Sequence, residues 1–244
     1  MLMQWLVNTT LKGLTGAICR VDDAQLARVP HHGPLIVVVN HINFLDAPVL
    51  FSRVHPRPVT GFVKAETWQN PTLGLLFDMW KTIPLERGEA DVGAFREGLA
   101  ALKDGAILAV APEGTRSKHG RLQRGRPGVV LLALRSGAPI LPLVYYGSER
   151  FHDNVRRLRR TDFRIIVGQS FYLDARGVKV TQKVRHVMVD EMMYQIAGLL
   201  PPDYRGVYAD IDTATEHYLH FPEGSASNLP RRIRQPRGAS ILTD

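Results

Sequence analysis

From residue 35 onward, apolar residues alternate between two patterns. Short unbroken runs such as Leu35-Ile36-Val37-Val38-Val39 and Ala106-Ile107-Leu108-Ala109-Val110 are the signature of strands buried on both faces of a parallel sheet. Runs of this kind predict strands over residues 35–40, 59–65, 106–111, 139–146 and 163–168. Between them, residues 45–54, 71–80, 92–103 and 127–135 carry helix-like patterns. An alternation that continues to about residue 173 predicts an α/β fold, a single layered domain with a mainly parallel, mixed sheet flanked by helices. Residues 179–200 form a further amphipathic pattern through Val184, Val187, Met188, Glu191, Met192, Gln195 and Ile196, most simply a packing helix. Beyond Pro201-Pro202 the chain turns polar, and residues 222–244 read as a poorly ordered tail. No internal repeat is found. The organisation predicted is an N-terminal amphipathic helix over 1–22, one domain over 23–202, and a partly disordered extension over 203–244.

Met3, Val7, Leu11, Leu14 and Ile18 recur at spacings of four, four, three and four, which marks one face of a helix. Gln4, Asn8 and Lys12 interrupt the segment well short of the ~20 apolar residues that a membrane span needs. Without a basic leader or a small-residue cleavage end, it also makes a poor signal peptide. Two readings remain open: an interfacial helix that beds Trp5 among lipid headgroups, or a helix packed on the core.

With 244 residues, 45% hydrophobic and 22% charged, the chain can bury one sizeable core. Thirty-one basic against twenty-three acidic residues leave a net charge of +8, and the pI is about 9.9. A basic surface suits anionic phospholipids, acidic carrier proteins or nucleic acid. The densest basic run holds Arg150, Arg156, Arg157, Arg159, Arg160 and Arg164, and Arg231-Arg232-Ile233-Arg234 repeats the theme. A single-stranded nucleic-acid site would interleave aromatic residues among such charges, and only Phe151 and Phe163 flank the run. The functional expectation is therefore attraction to a membrane or a carrier, with no nucleic-acid partner; the plain alternative is a solvated basic loop. The one cysteine, Cys19, excludes internal disulfides and agrees with a reducing compartment. His31 and His32 lie on a loop and the other histidines are scattered without ligand spacing, so no metal site is expected.

Candidate chemistry begins at Asn40-His41-Ile42-Asn43-Phe44-Leu45-Asp46, where an imidazole and a carboxylate follow a buried strand. Ligands of open α/β sheets gather at the carboxyl ends of strands. Five positions around a helix amount to about 140°, so the two side chains can meet only if His41 lies in the turn and Asp46 begins the helix. A purely structural reading makes Asn43 the helix cap and Asp46 a favourable first-turn charge. The second constellation, Pro112-Glu113-Gly114-Thr115-Arg116-Ser117, follows the strand ending at Val110. Gly114 permits backbone angles closed to other residues, and Arg116 offers a planar fork matched to phosphate oxygens. The alternative there is a surface turn with a Glu/Arg ion pair.

Taken together these residues resemble the glycerolipid acyltransferases typified by 1-acylglycerol-3-phosphate acyltransferase, over roughly residues 30–147. The family's first block is matched by Asn40, His41 and Asp46, and its third by Pro112 through Ser117. The second block resembles Phe62-Val63-Lys64-Ala65-Glu66 through Ile83-Pro84-Leu85-Glu86-Arg87-Gly88, with the family's arginine on Arg87. The fourth, an apolar strand bracketed by prolines, falls on Pro139-Ile140-Leu141-Pro142-Leu143. Two positions depart from the pattern: Trp80 stands where glycine is often found, and Glu86 stands where aspartate is common.

The resemblance implies transfer of a fatty acyl group from a thioester of coenzyme A or acyl carrier protein to a lysophospholipid hydroxyl. No resident cofactor is implied. Histidine has the ordinary pKa suited to deprotonating an alcohol near neutrality. His41 would be the base, and Asp46 would hold the opposite ring N–H as in a serine-hydrolase triad, with the substrate replacing serine. There is no Gly-x-Ser-x-Gly elbow for a covalent route. Lys64, Arg87, Glu113, Gly114, Thr115 and Arg116 are the substrate-binding candidates, the cations for the acceptor's phosphate and Glu113 either for its hydroxyls or for holding Arg116. The oxyanion donors stay unassigned. The expectation is a cytoplasmic enzyme, peripherally bound to an anionic membrane, that converts lysophosphatidic acid to phosphatidic acid. The alternatives are another acceptor, such as glycerol-3-phosphate or a different lysophospholipid, and a non-catalytic basic membrane-binding module.

Overall fold

A computed structural model describes residues 2–86, 91–117 and 119–230. Seven of its strands form one sheet: β1 (Cys19–Asp22), β2 (Leu35–Val39), β3 (Val59–Lys64), β4 (Ile83–Leu85), β5 (Ile107–Val110), β6 (Ile140–Tyr146) and β7 (Thr161–Val167). Their order is β1-β7-β6-β2-β5-β3-β4. Every pairing is parallel except β6 with β7. The fold is thus the α/β architecture with a mainly parallel, mixed sheet that the alternation predicts.

All five residues of β2 are buried because both faces of the sheet are covered. Val37 and Val39 pack into a cluster with Val49, Leu50, Phe51 and Trp80, from the side of α2 (Asp46–Val54) and α3 (Pro71–Met79). Ile36 and Val38 face a second cluster with Leu102, Val130, Met192 and Ile196. These come from α4 (Val92–Lys103), α5 (Gly128–Ser136) and α7 (Gln182–Leu199). Local chemistry sets the helix limits. Asn70 accepts from the N–H groups of Thr72 and Leu73 to cap α3, and Asp91 and Thr181 cap α4 and α7 in the same way. Gly137, at φ +62°, closes α5 in the left-handed conformation.

Five features depart from the pattern-based expectation. β1 and β4 are strands of four and three residues, too short to leave a readable periodicity. The basic run contains a short helix, α6 (Phe151–Arg156), ahead of β7. The N-terminal helix α1 (Leu2–Ile18) is present, but it buries Asn8 and Thr15. Met3, Leu14 and Ile18 of the predicted apolar face are exposed. A second, two-stranded sheet pairs β8 (Tyr172–Leu173), which precedes α7, antiparallel with β9 (Leu219–His220), which follows it. The segment expected to be poorly ordered from 222 is anchored at Asn228, whose amide exchanges hydrogen bonds with the Gln169 backbone. The rest of that tail, with Arg231, Arg232 and Arg234, lies outside the described residues.

Candidate active site

The carboxyl ends of β2 and β5 lie side by side because Val38 pairs with Val110, so the turns that leave them meet. β6 flanks β2 on the other side, with Val39 opposite Leu143. Beyond β2, the Asn40 side chain imitates a strand. Its Nδ2 donates to the Tyr145 carbonyl (2.9 Å) and its Oδ1 accepts from the Tyr145 N–H (2.8 Å). The chain is thereby held against β6 for one residue more before it turns at His41.

His41 lies in that turn and Asp46 opens α2, as the five-residue spacing requires. The His41 Nδ1 to Asp46 Oδ2 distance is 2.8 Å, with the carboxylate side chain 4% exposed and the imidazole 28%. Oδ2 also accepts from the N–H groups of Ile42 (2.7 Å) and Asn43 (3.0 Å), while buried Oδ1 has no hydrogen-bond partner among the described residues. One oxygen thus gathers the turn and orients the ring. Asn43 is not the helix cap: its Nδ2 donates to the Ser148 carbonyl (2.8 Å), and its Oδ1 accepts from the Leu45 N–H (2.8 Å).

Glu113 is tied to the backbone rather than to Arg116. Its Oε1 accepts from the His41 backbone N–H (2.9 Å) and its Oε2 from the Gln123 backbone N–H (2.9 Å). It is 2% exposed, and among the described residues it forms no ion pair with Arg116. Burial pushes its carboxyl above the ordinary glutamate range, partly offset by those two donors. Ser117 completes the tie between the motifs, its N–H donating to the His41 carbonyl (2.8 Å). Gly114 sits at φ +67°. A Cβ there would meet Arg126 Cδ at 3.0 Å and Nε at 3.1 Å, so Arg126 lies on the Gly114 turn, a cation that the motif spacing did not point out.

Thr115 and Arg116 are exposed on the same turn. Lys64 ends β3, where it pairs with Glu66 at 2.8 Å on the surface. Leu85 of β4 pairs with Lys64, and Arg87 lies outside the described residues. The unusual Trp80 is core: it is 2% exposed, packs edge-on against Phe51 at 5.0 Å, and donates its indole N–H to Asn8 Oδ1 (3.0 Å). Sequence reasoning also missed the tethering roles of Asn40, Ser148 and Gln123, whose partners are distant in the chain.

The geometry offers an imidazole held through Nδ1 and a cation-bearing turn beside it. That arrangement suits proton abstraction from a substrate hydroxyl near an anionic group. 1-Acyl-sn-glycerol-3-phosphate acyltransferase BAT2, chloroplastic, of Brassica napus is 29% identical over 143 residues, 57% of this chain and 41% of its own length. The Bacillus subtilis 1-acyl-sn-glycerol-3-phosphate acyltransferase is 23% identical over 59% of this chain and 70% of its own. The chain spans only about two-fifths of the length of the chloroplastic 1-acyl-sn-glycerol-3-phosphate acyltransferases it matches. The crystal structure of the 1-acyl-sn-glycerophosphate acyltransferase PlsC from Thermotoga maritima shares the fold. Its TM-score is 0.57 at 20% identity, over 78% of this chain and 76% of that one. The sequence model of the family described as Acyltransferase matches residues 20–146, just over half of the chain and a span that includes both motif turns, and by that match the chain belongs to the acyltransferase family.

Proposed function

We propose that this protein transfers a fatty acyl group from an acyl thioester, of coenzyme A or acyl carrier protein, to the 2-hydroxyl of lysophosphatidic acid, forming phosphatidic acid. The observation that carries this reading is the 2.8 Å contact from His41 Nδ1 to Asp46 Oδ2. It fixes the tautomer that leaves Nε2 as the free, proton-accepting nitrogen. His41 Nε2 takes the acceptor's proton as its oxygen attacks the thioester carbonyl. The tetrahedral intermediate collapses, the C–S bond breaks, and the imidazolium returns the proton to the departing thiolate. Asp46 stabilises the imidazolium throughout. Arg116, Arg87 and Lys64 serve the acceptor's phosphate, with Gly114 and Thr115 shaping the turn that presents Arg116.

The membrane part of the reading rests on α1, which leaves Leu2, Met3, Trp5, Leu6 and Leu14 exposed. No helix among the described residues is long and apolar enough to cross a membrane; the contact proposed is that of an interfacial helix. Deleting residues 1–20 should weaken vesicle binding; unchanged binding would dismiss α1 as an anchor. A second reading, the same chemistry on a different acceptor, is favoured by one relative. The Arabidopsis thaliana N-acylphosphatidylethanolamine synthase is 29% identical over 58% of this chain.

The deciding experiment offers purified protein a panel of labelled acceptors, including glycerol-3-phosphate, with coenzyme A and carrier-protein donors. Phosphatidic acid formed from lysophosphatidic acid, and lost in His41→Ala, is expected. Product from another acceptor alone would move the assignment to that acceptor, and none from any would end the enzymatic reading.

A further inference from the structure

We propose that the turn between α6 and β7, tipped by Leu158, is a second docking element that inserts into an anionic phospholipid surface and seats the active site against it. The proposal rests on the membrane-facing reading above and names a surface that reading does not include.

Leu158 is 97% exposed and stands at φ +52°, a conformation that L side chains rarely adopt. The turn is nevertheless built to hold it there. The Leu158 N–H donates to the Val155 carbonyl (3.0 Å) and the Arg159 N–H to the Asn154 carbonyl (2.8 Å). Asn154 is itself fastened through Nδ2 to Thr161 Oγ1 at 3.1 Å. A strained turn that holds a leucine in solvent gains nothing for the core.

Arg156, Arg157 and Arg159 surround the tip, all exposed, and none pairs with a carboxylate among the described residues. Arg150, Arg160 and Arg164 extend the patch, against which the segment sets only Asp153 and Asp162, and Asp162 is engaged by Arg20 at 3.3 Å. A solvated basic loop has no use for Leu158 or for the exposed Val155. An apolar tip ringed by unpaired arginines complements a bilayer whose interior takes the leucine and whose anionic headgroups take the guanidinium groups.

Two contacts couple the patch to the rest of the site. Phe44, in the turn between His41 and Asp46, is half exposed and packs edge-on against Phe151 of α6 at 5.5 Å. Arg160 donates to the Cys19 carbonyl just past α1, at 2.8 Å. A bilayer that receives Leu158 therefore lies close to the catalytic turn and to the end of α1.

The test uses the full chain carrying Leu158→Cys, labelled with an environment-sensitive fluorophore. Wild type treated alike is the control, since Cys19 is buried. Vesicles of phosphatidylcholine with phosphatidylglycerol should raise and blue-shift the emission, reversibly with salt, and phosphatidylcholine alone should not. Replacing Arg156, Arg157 and Arg159 by Gln should weaken binding to the anionic vesicles by about fivefold for each charge. Leu158→Asn, which tolerates the same backbone angle, should weaken it by about tenfold.

Protein that sediments with anionic vesicles while the label stays unshifted would overturn the proposal. So would arginine variants that bind vesicles as wild type does but lose transfer selectively from a carrier-protein donor, since the patch would then belong to an acidic carrier. Transfer to a short-chain, fully dissolved acceptor, measured separately, reports on the proposed activity alone and should be unchanged in every variant of the tip.

Discussion

Asp46 Oδ2 receives three donors, the His41 ring and the N–H groups of Ile42 and Asn43, so it builds the turn as well as orienting the base. Asp46→Asn should therefore harm both: an amide oxygen in that place accepts from the three donors without the charge that strengthens those bonds and stabilises the imidazolium. The transfer rate should fall about 10²–10⁴-fold, as for His41→Ala, with Asp46→Asn also melting earlier and His41→Ala melting near wild type. Equal melting for both variants would show that the carboxylate is dispensable to the turn. Glu113 carries a pH signature. A carboxyl raised on folding binds more protons in the native than in the unfolded chain just above the ordinary glutamate range, so stability there falls as pH rises. Glu113→Gln should flatten that part of the melting profile. Its amide would oppose one of the two N–H donors and slow transfer by about tenfold or more with little change in acceptor KM. A KM effect alone would return Glu113 to substrate binding. The His41 and Asp46 pairing was legible in the chain because both ends lie within one turn. The role of Glu113 was not, because its partners at 41 and 123 are fixed only by the alignment of β2 with β5.

At the scale of elements, long apolar runs announced β2, β3, β5, β6 and β7 within a residue or two. β1 and β4 stayed hidden, since strands this short exist through their neighbours rather than their pattern. α1 shows why periodicity names a helix more readily than its buried face. The line that packs inward runs through Gln4, Val7, Asn8, Leu11 and Thr15, polar at its centre, because two donors of the core await it. The Trp80 indole reaches Asn8, and Arg53, its side chain 4% exposed, donates to Thr15 Oγ1 (2.9 Å) and to Asp23 (2.9 Å). Asn8→Ala should strand the buried indole N–H at a cost of about 1–3 kcal/mol, each kcal/mol lowering the melting temperature by about 2–4 °C in a chain of this size. Trp80→Phe in the same background should recover part of the loss; additive losses would mean that the hydrogen bond is not what joins α1 to the core.

Across the whole molecule, the segment after α7 does more than cover a surface. Buried Glu191 accepts from Thr215, His217 and Tyr218, and Gln195 holds Glu216 and Asn228, so α7 straps the segment down with polar side chains that the helical pattern counted simply as packing positions. The strap then grips the loop after the Glu113 motif: the Tyr204 carbonyl accepts from the Leu122 N–H (2.9 Å), and Tyr208 Oη accepts from the buried Gly125 N–H (3.0 Å) while donating to Asp190 (2.8 Å). Gln123 lies between those two grips and is the residue whose N–H meets Glu113, which in turn meets His41. A chain of hydrogen bonds therefore runs from the C-terminal segment to the catalytic turn, and burial with the Asp190 contact keeps the Tyr208 phenol protonated far above its ordinary range. Tyr208→Phe removes one acceptor and leaves a buried N–H unpaired, a loss of about 1–3 kcal/mol. The loss should show locally as faster amide hydrogen exchange over residues 121–125 and at His41, well below the melting temperature. Transfer should slow in step with the exchange at His41. If exchange quickens at Gly125 while His41 stays protected and the rate holds, the strap stabilises the fold without reaching the chemistry.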